Sequence, residues 1–338
     1  MPDVRELVDL FEQAESLAIV CHDNPDPDCL ASALALRTVA ESTGLTESDI
    51  VYGGEITHQQ NRTFVNLLDI DLDTFTEFDA NEWDLVAFVD HAETAINTAF
   101  PPDRAVDVVI DHHPRDEPVQ ATFVDIRPDY GATSTILVEY LQQLGIDPST
   151  ELASALLFAL HRERIDYMHY PTAHEYESAL FLFPMADLEL LRRIYSSAFS
   201  TNTVDSIGDA IEHREIRGGT LVTSVGRTTE RDALPQAAEF LLNLEGVGTV
   251  LVSGISGDAL VLSARTADPR VNVGSVLKDA FGSVGSAGGH RDMAAGQIPL
   301  GIFGDPAPDD DGLIQFLSAR VNRRFFDSMN LDGEHGSE

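Results

Sequence analysis

Short, nearly uninterrupted apolar runs punctuate the first half of the chain. Leu17–Cys21 (LAIVC), Leu85–Val89 (LVAFV) and Val106–Ile110 (VDVVI) predict buried strands, with Val51–Gly53 and Ala121–Val124 as shorter candidates. Between and after them the apolar positions fall at helical spacing, over Cys29–Ala40, opened by Asp28, and then over Gly131–Leu144 and Glu151–Leu160. Strands with so few polar positions need cover on both faces. Their alternation with helices predicts βαβ units in an α/β fold built on a doubly wound, mainly parallel sheet.

The texture changes after residue 185. Asp187–Phe199 and Val204–Ile216 read as helices carrying the chain from one lobe to the next. Strand candidates Thr220–Val225, Thr249–Ser253 and Ala259–Ala264 follow, set among the glycines Gly218-Gly219 and Gly246–Gly248. A helix at Val271–Phe281 leads into a Gly-rich loop, Gly282–Gly289, and a last amphipathic helix spans about Gly312–Phe326. The expected organisation is a first domain over 1–185, a helical linker over 186–216, a smaller α/β domain over 217–330, and a frayed tail over 331–338.

Charge narrows the function. The 338 residues carry 57 acidic and 21 basic side chains, a net charge of −36. With 43% hydrophobic residues the chain can bury real cores, so the acidity does not signal disorder. A field of this sign repels phosphate and excludes binding to duplex DNA or an anionic membrane by bulk attraction. An anionic substrate must then be drawn in locally, with the help of metal. Lys278 is the only lysine. Abundant acid with so little lysine suits hydration in concentrated salt and points to the cytoplasm of a salt-adapted cell. No apolar run reaches spanning length, and the acidic amphipathic N-terminus lacks the apolar core of a signal peptide. Cys21 and Cys29 fit neither a zinc finger nor a disulfide framework and read as core residues.

The chemistry gathers directly after the strand patterns. His22-Asp23-Asn24-Pro25-Asp26-Pro27-Asp28 follows LAIVC, Asp90-His91 follows LVAFV, and Asp111-His112-His113-Pro114 follows VDVVI. In an open parallel sheet the C-terminal strand ends share one edge, where ligands bind. An Asp after a strand is often only a turn residue or a helix cap. Three such clusters in register with three strands are hard to explain as turns. So many carboxylates in one crevice repel one another, and two divalent cations relieve that conflict. The mixed Asp/His donor set suits Mn²⁺, ahead of Mg²⁺, Co²⁺ or Zn²⁺.

This ordered set resembles the DHH phosphoesterases that carry a C-terminal DHHA1 domain. The matching residues are His22, Pro25, Asp26, Asp28 and Ser32, then Asp90, Asp111-His112-His113, and Gly131-Ala132-Thr133-Ser134. In the second half, Gly288-Gly289-His290 followed by Ala294-Ala295-Gly296 looks like the DHHA1 pattern. The resemblance implies that His22, Asp26 and Asp90 hold one Mn²⁺, and that Asp28, Asp90, His112 and a further acid hold the other, with Asp90 bridging. His113 would face the scissile phosphate, and Asp111 would orient the histidines. Where the family usually has an aspartate after the helix Glu151–Leu160, this chain reads His161-Arg162-Glu163-Arg164, so Glu163 takes the place, with Asp166 as the fallback. Ala287 stands where the pattern often has another glycine. Arg265, Gly288, Gly289 and His290 would grip the rest of the substrate, with the active site in the cleft between the two domains. Arg291 is a further helper or a plain surface arginine, and His91 and His161 read as structural.

The reaction so implied is Mn²⁺-dependent hydrolysis of a phosphoester. The chain offers neither room for an added nucleic-acid-binding domain nor the basic and aromatic stripe that long single strands need. Short single-stranded oligonucleotides or small nucleotides are therefore the expected substrates, as for a nanoRNase or a 3′-phosphoadenosine 5′-phosphate phosphatase. The alternatives are a RecJ-like single-strand exonuclease, a cyclic dinucleotide phosphodiesterase, or a non-catalytic nucleotide-binding assembly protein. The sequence leaves room for a homodimer.

Overall fold

A computed structural model describes residues 2–76, 78–93, 98, 100–101, 104–115, 118–166, 171–196, 199–303 and 311–331. The chain divides into two compact units, Met1–Ala198 and Phe199–Glu338. In the first, the elements run α1 (Val4–Phe11), β1 (Ser16–Val20), α2 (Pro27–Ser42), β2 (Glu47–Tyr52), α3 (Gln59–Leu67), β3 (Asp73–Thr74), β4 (Leu85–Val89), β5 (Val108–Asp111), β6 (Phe123–Ile126), α4 (Thr133–Leu144), α5 (Thr150–Leu160), α6 (Ala173–Leu182) and α7 (Leu188–Tyr195). One turn of π-helix, His161–Ile165, continues α5.

The six strands pair in the order β3-β2-β1-β4-β5-β6, every pair parallel. Alternation along β1 and β4 feeds two cores. Leu17, Ile19, Ala87 and Val89 pack with the helices, while Ala18, Val20, Val86 and Phe88 pack against an aromatic layer of Phe75, Phe78, Trp83 and Phe100. Both strands are buried along their whole length, which explains why they read as unbroken apolar runs.

The second unit runs α8 (Thr201–Glu212), β7 (Glu215–Arg217), β8 (Thr220–Arg227), α9 (Ala233–Leu242), β9 (Thr249–Ser256), β10 (Ala259–Thr266), α10 (Val273–Phe281), β11 (Ser286–Gly289), β12 (Met293–Pro299) and α11 (Asp311–Ser328). Its mixed sheet has the order β11-β12-β10-β9-β8-β7, parallel only between β8 and β9.

Several expectations are corrected. The helix after β1 is capped by Asp26, whose Oδ1 accepts the N–H groups of Asp28 and Cys29 at 3.0 Å each, and not by Asp28. Pro27 at the first helical position needs no donor there, so the helix starts two residues early. The Gly-rich stretch before His290 ends in a strand, because Ser286–Gly289 pairs with Ala294–Gln297. The segment 186–216 holds two helices that join different cores: Leu191 and Ile194 of α7 lie in the first unit, and Ala210 of α8 lies in the second. The expected tail lies outside the described residues from 332 onward. Among the described residues, no helix is long and apolar enough to cross a membrane.

Candidate metal centre

The order of the first sheet turns at β1 and β4, from which the chain proceeds toward opposite edges. A crevice opens at such a point beyond the C-terminal strand ends. His22 follows β1 there, and Asp90 follows β4. Asp90 has a left-handed backbone, φ +64°, which costs a non-glycine residue about 1–3 kcal/mol. Its N–H donates to the Ile110 carbonyl on the neighbouring strand at 3.0 Å. The strained turn thus fixes a buried carboxylate at the crevice.

Two imidazoles flank that carboxylate. His22 Nε2 lies 3.6 Å from Asp90 Oδ2, and His112 Nε2 lies 3.6 Å from Asp90 Oδ1. Each ring is oriented from behind, His22 Nδ1 lying 3.0 Å from the Asp23 carbonyl and His112 Nδ1 3.3 Å from the Tyr130 carbonyl. Only a protonated Nδ1 can make such a contact, so each ring turns its Nε2 toward Asp90. Asp28, on the first turn of α2, stands 4.0 Å from His112 Nε2. Its carboxylate accepts the N–H groups of Thr133 at 2.8 Å and Ser134 at 2.9 Å, together with the Ser134 hydroxyl. The start of α4 has no side-chain cap of its own, so Asp28 satisfies its free amides from across the core.

His113 is held differently, although its Nδ1 comes within 3.9 Å of Asp90 Oδ1. Its Nδ1 and its backbone N–H both meet Asp111 Oδ1, at 2.8 and 3.0 Å, and its side chain is 49% exposed. Asp111 therefore orients His113 alone, while the Tyr130 carbonyl orients His112. That corrects the expectation that Asp111 would serve both rings.

Electrostatics divide the members of the cluster. Burial works against ionisation of Asp90, yet His22, His112 and His113 hold it well below the usual carboxylate range. Asp28 goes the opposite way, pushed well up by burial and by the negative charges of Asp90 and Glu163. Burial and the Asp26 carboxylate push Glu163 up to about 8. Burial disfavours the His22 cation, but Asp90 and Asp26 outweigh it and raise the ring to about 10. For His113, Asp111 and Asp90 likewise outweigh burial and raise it to about 9, whereas burial prevails at His112 and lowers it. The imidazole nitrogens and the carboxylate oxygens stand 3.6–4.0 Å apart, too far for hydrogen bonds. They are spaced as ligands of a shared cation, since two atoms each about 2.1 Å from an ion stand roughly 3–4 Å apart. The donors of Asp90, His112 and His113 lie within 4.8 Å of one another, as do those of His22, Cys29 and Asp90. Mixed oxygen and imidazole donors of this kind fit a divalent ion.

The remaining candidates sort by their contacts. The Asp26 charge acts on both His22 and Glu163, and its Oδ1 is occupied by capping α2. Glu163 sits in the π-turn, a local widening common at functional sites. Asp166 is held instead by His161 at 2.8 Å and Tyr195 at 2.5 Å. Cys29 is fully buried and donates its thiol to the Val89 carbonyl at 3.4 Å, while burial pushes that thiol up. His91 stacks on Phe88 at 4.3 Å and bonds through Nδ1 to Val89. Thr133, marked in the sequence only as part of the Gly131–Ser134 motif and with no role of its own, donates its hydroxyl to Asp90 Oδ1 at 2.8 Å.

In the second unit Arg265 is engaged, its Nε 3.3 Å from Glu239 and its Nη1 3.0 Å from the Ala264 carbonyl. Gly289 has φ +153° and is pressed against β12, where a Cβ would meet the Met293 carbonyl at 2.4 Å. A Cβ on Gly288 would meet nothing within 4 Å, and His290 is exposed. Arg291 donates to the Pro269 carbonyl, a structural contact.

Both halves of the chain match known domain families. Residues 16–160 match the DHH family N-terminal domain and residues 218–322 the DHHA1 domain. The uncharacterized protein MJ1633 of Methanocaldococcus jannaschii is 37% identical over 326 residues, 96% of this chain and 66% of that protein. The cyclic-di-AMP phosphodiesterase PdeA of Listeria monocytogenes is 24% identical over 86% of this chain, which spans 46% of its length. The crystal structure of an exopolyphosphatase-related protein from Bacteroides fragilis superposes with a TM-score of 0.76 at 14% identity, covering 96% of this chain and 97% of that one. That likeness shows a shared fold. The chain belongs to the DHH family, with a DHHA1 domain in its second half.

Proposed function

We propose that the protein hydrolyses phosphoester bonds of short single-stranded oligonucleotides or small nucleotides with two Mn²⁺ ions. The observation that carries this reading is the pair of 3.6 Å approaches of His22 and His112 to opposite oxygens of Asp90. One carboxylate between two oriented imidazoles is the arrangement a pair of bridged ions requires. His22, Asp26 and Asp90 would hold one ion, and Asp28, Asp90, His112 and Glu163 the other. Bound divalent ions supply a nucleophile at neutral pH and neutralise phosphoryl charge.

The chain's own residues do the rest. His113, half exposed and held through Nδ1 by Asp111, presents Nε2 to the substrate. Raised to about 9, it carries a proton at neutral pH to donate to a phosphoryl oxygen or the leaving alcohol. We assign catalysis to the region 1–185. In the region 217–330, Arg265, Gly288, Gly289 and His290 bind a second phosphate: the open space over Gly288 admits an anion close to the backbone, and Arg265 exchanges Glu239 for it.

The test is a product survey by mass spectrometry with 5′-labelled RNA and DNA dimers to 20-mers, 3′-phosphoadenosine 5′-phosphate and cyclic di-AMP, in high salt with Mn²⁺. Turnover of dimers or 3′-phosphoadenosine 5′-phosphate ahead of 20-mers supports the reading. Preference for 20-mers favours a RecJ-like exonuclease, and no turnover favours an assembly protein.

A further inference from the structure

The ligands of the proposed centre lean on one short segment, residues 130–135. The Tyr130 carbonyl faces His112, Thr133 reaches both Asp28 and Asp90, and Ser134 reaches Asp28. This segment is itself held from two sides. Glu175, on the first turn of α6 and fully buried, accepts the Gly131 N–H at 2.8 Å and the Thr135 hydroxyl at 3.2 Å through Oε1. From the other side Arg164, next to Glu163 in the π-turn, donates its Nε to the Gly131 carbonyl at 2.5 Å. Gly131 is clamped so tightly that a Cβ there would lie 2.7 Å from both Arg164 Cγ and Glu175 Cδ.

We infer that Glu175 is a positioning residue for the metal centre, locking residues 131–135 so that Thr133 and Ser134 fix the rotamers of Asp28 and Asp90. Glu175 also closes a capping box on α6, with Oε2 accepting the Thr172 N–H at 2.5 Å. Capping needs only that local contact. The Gly131 and Thr135 contacts cross 44 and 40 residues and are no part of that cap. They tie the helix to the segment under the ligands, and removing such an outer support typically weakens a metal site without removing a ligand.

This inference rests on the metal reading above, and its test separates the two. Mn²⁺ affinity is measured by the electron paramagnetic resonance signal of the free ion, on the full chain stripped of metal. The variants are Glu175→Gln and Thr172→Ala, with thermal melting followed in parallel. Thr172→Ala removes the hydroxyl that caps α6 through the His174 N–H at 3.2 Å and leaves Gly131 untouched. Glu175→Gln is expected to bind Mn²⁺ about 10- to 100-fold more weakly. Thr172→Ala is expected to melt earlier with native Mn²⁺ affinity. Should Glu175→Gln fail to fold, Thr135→Val removes one Glu175 contact and is expected to give a smaller loss in the same direction. Native affinity in folded Glu175→Gln, or in Thr135→Val if only that folds, overturns the inference, as does an equal loss in Thr172→Ala. Absence of Mn²⁺ binding by the native chain overturns the metal reading and this inference with it.

Discussion

Thr133 donates its hydroxyl to Asp90 Oδ1 at 2.8 Å, joining the first turn of one helix to the carboxylate at the end of a strand 43 residues earlier. Its N–H meets Asp28 at the same distance. One threonine thereby sets the relation between two acids that repel each other. Thr133→Val removes the hydroxyl and keeps the shape. The expected result is a loss of about 0.5–1.5 kcal/mol in stability. Mn²⁺ affinity falls about tenfold or more. Chemical denaturation and calorimetric titration measure the two effects separately.

His112 and His113 are neighbours in different surroundings, one buried and one half exposed. His112→Ala removes a buried ring between Asp28 and Asp90, and is expected to lower both Mn²⁺ binding and turnover. His113→Ala removes a half-exposed ring that touches Asp111. It is expected to keep Mn²⁺ affinity within a few-fold while lowering kcat about 10²- to 10⁴-fold. Equal loss of binding in both variants would show that His113 is a ligand instead.

Metal binding must displace protons. His22, raised to about 10, and His113, raised to about 9, are protonated in the metal-free chain at pH 7.5, and Glu163, raised to about 8, is partly so. A ligating His22 gives up its proton, so Mn²⁺ affinity is expected to rise about tenfold per pH unit per proton released between pH 6 and 8. Calorimetry in buffers of different ionisation enthalpy counts those protons. The metal-free fold shows the opposite trend at His22. Its folded value lies above the ordinary 6.5, so its contribution is complete below that value and is lost as pH climbs toward about 10.

Asp28→Asn tests whether that carboxylate serves the fold as well as the metal. Both its oxygens accept N–H groups from Thr133 and Ser134. An amide there turns one acceptor into a donor facing a donor. The expected cost is about 1–3 kcal/mol in the metal-free chain, measured by urea unfolding. Asp28→Ala, which leaves both amides without an acceptor, is expected to cost at least as much.

The parts of the fold legible in the sequence were those in which burial is total. LVAFV is the strand Leu85–Val89 to the residue because both its faces are covered, and the clusters His22–Asp28, Asp90 and Asp111–His113 follow strands that pair side by side. What stayed hidden was set by tertiary contacts. The α6 helix carries a weak apolar pattern, yet its Glu175 reaches the segment beneath Asp28 and Asp90. Gly282–Gly289 read as a loop because glycines carry no strand preference. Only pairing with β12 makes its end a strand. The division of labour between Asp111 and the Tyr130 carbonyl was likewise illegible, since a backbone acceptor leaves no trace in residue type.

The central claim is that these acids and imidazoles form one cage for a pair of ions that cleave phosphoesters. The most direct measurement titrates the metal-stripped chain with Mn²⁺ while following both bound metal and hydrolysis of a labelled RNA dimer. Two ions are expected to bind per chain, with turnover appearing as the pair fills and both lost in Asp90→Ala. Stoichiometric Mn²⁺ binding that survives Asp90→Ala, or a filled site that leaves the dimer intact, would contradict it.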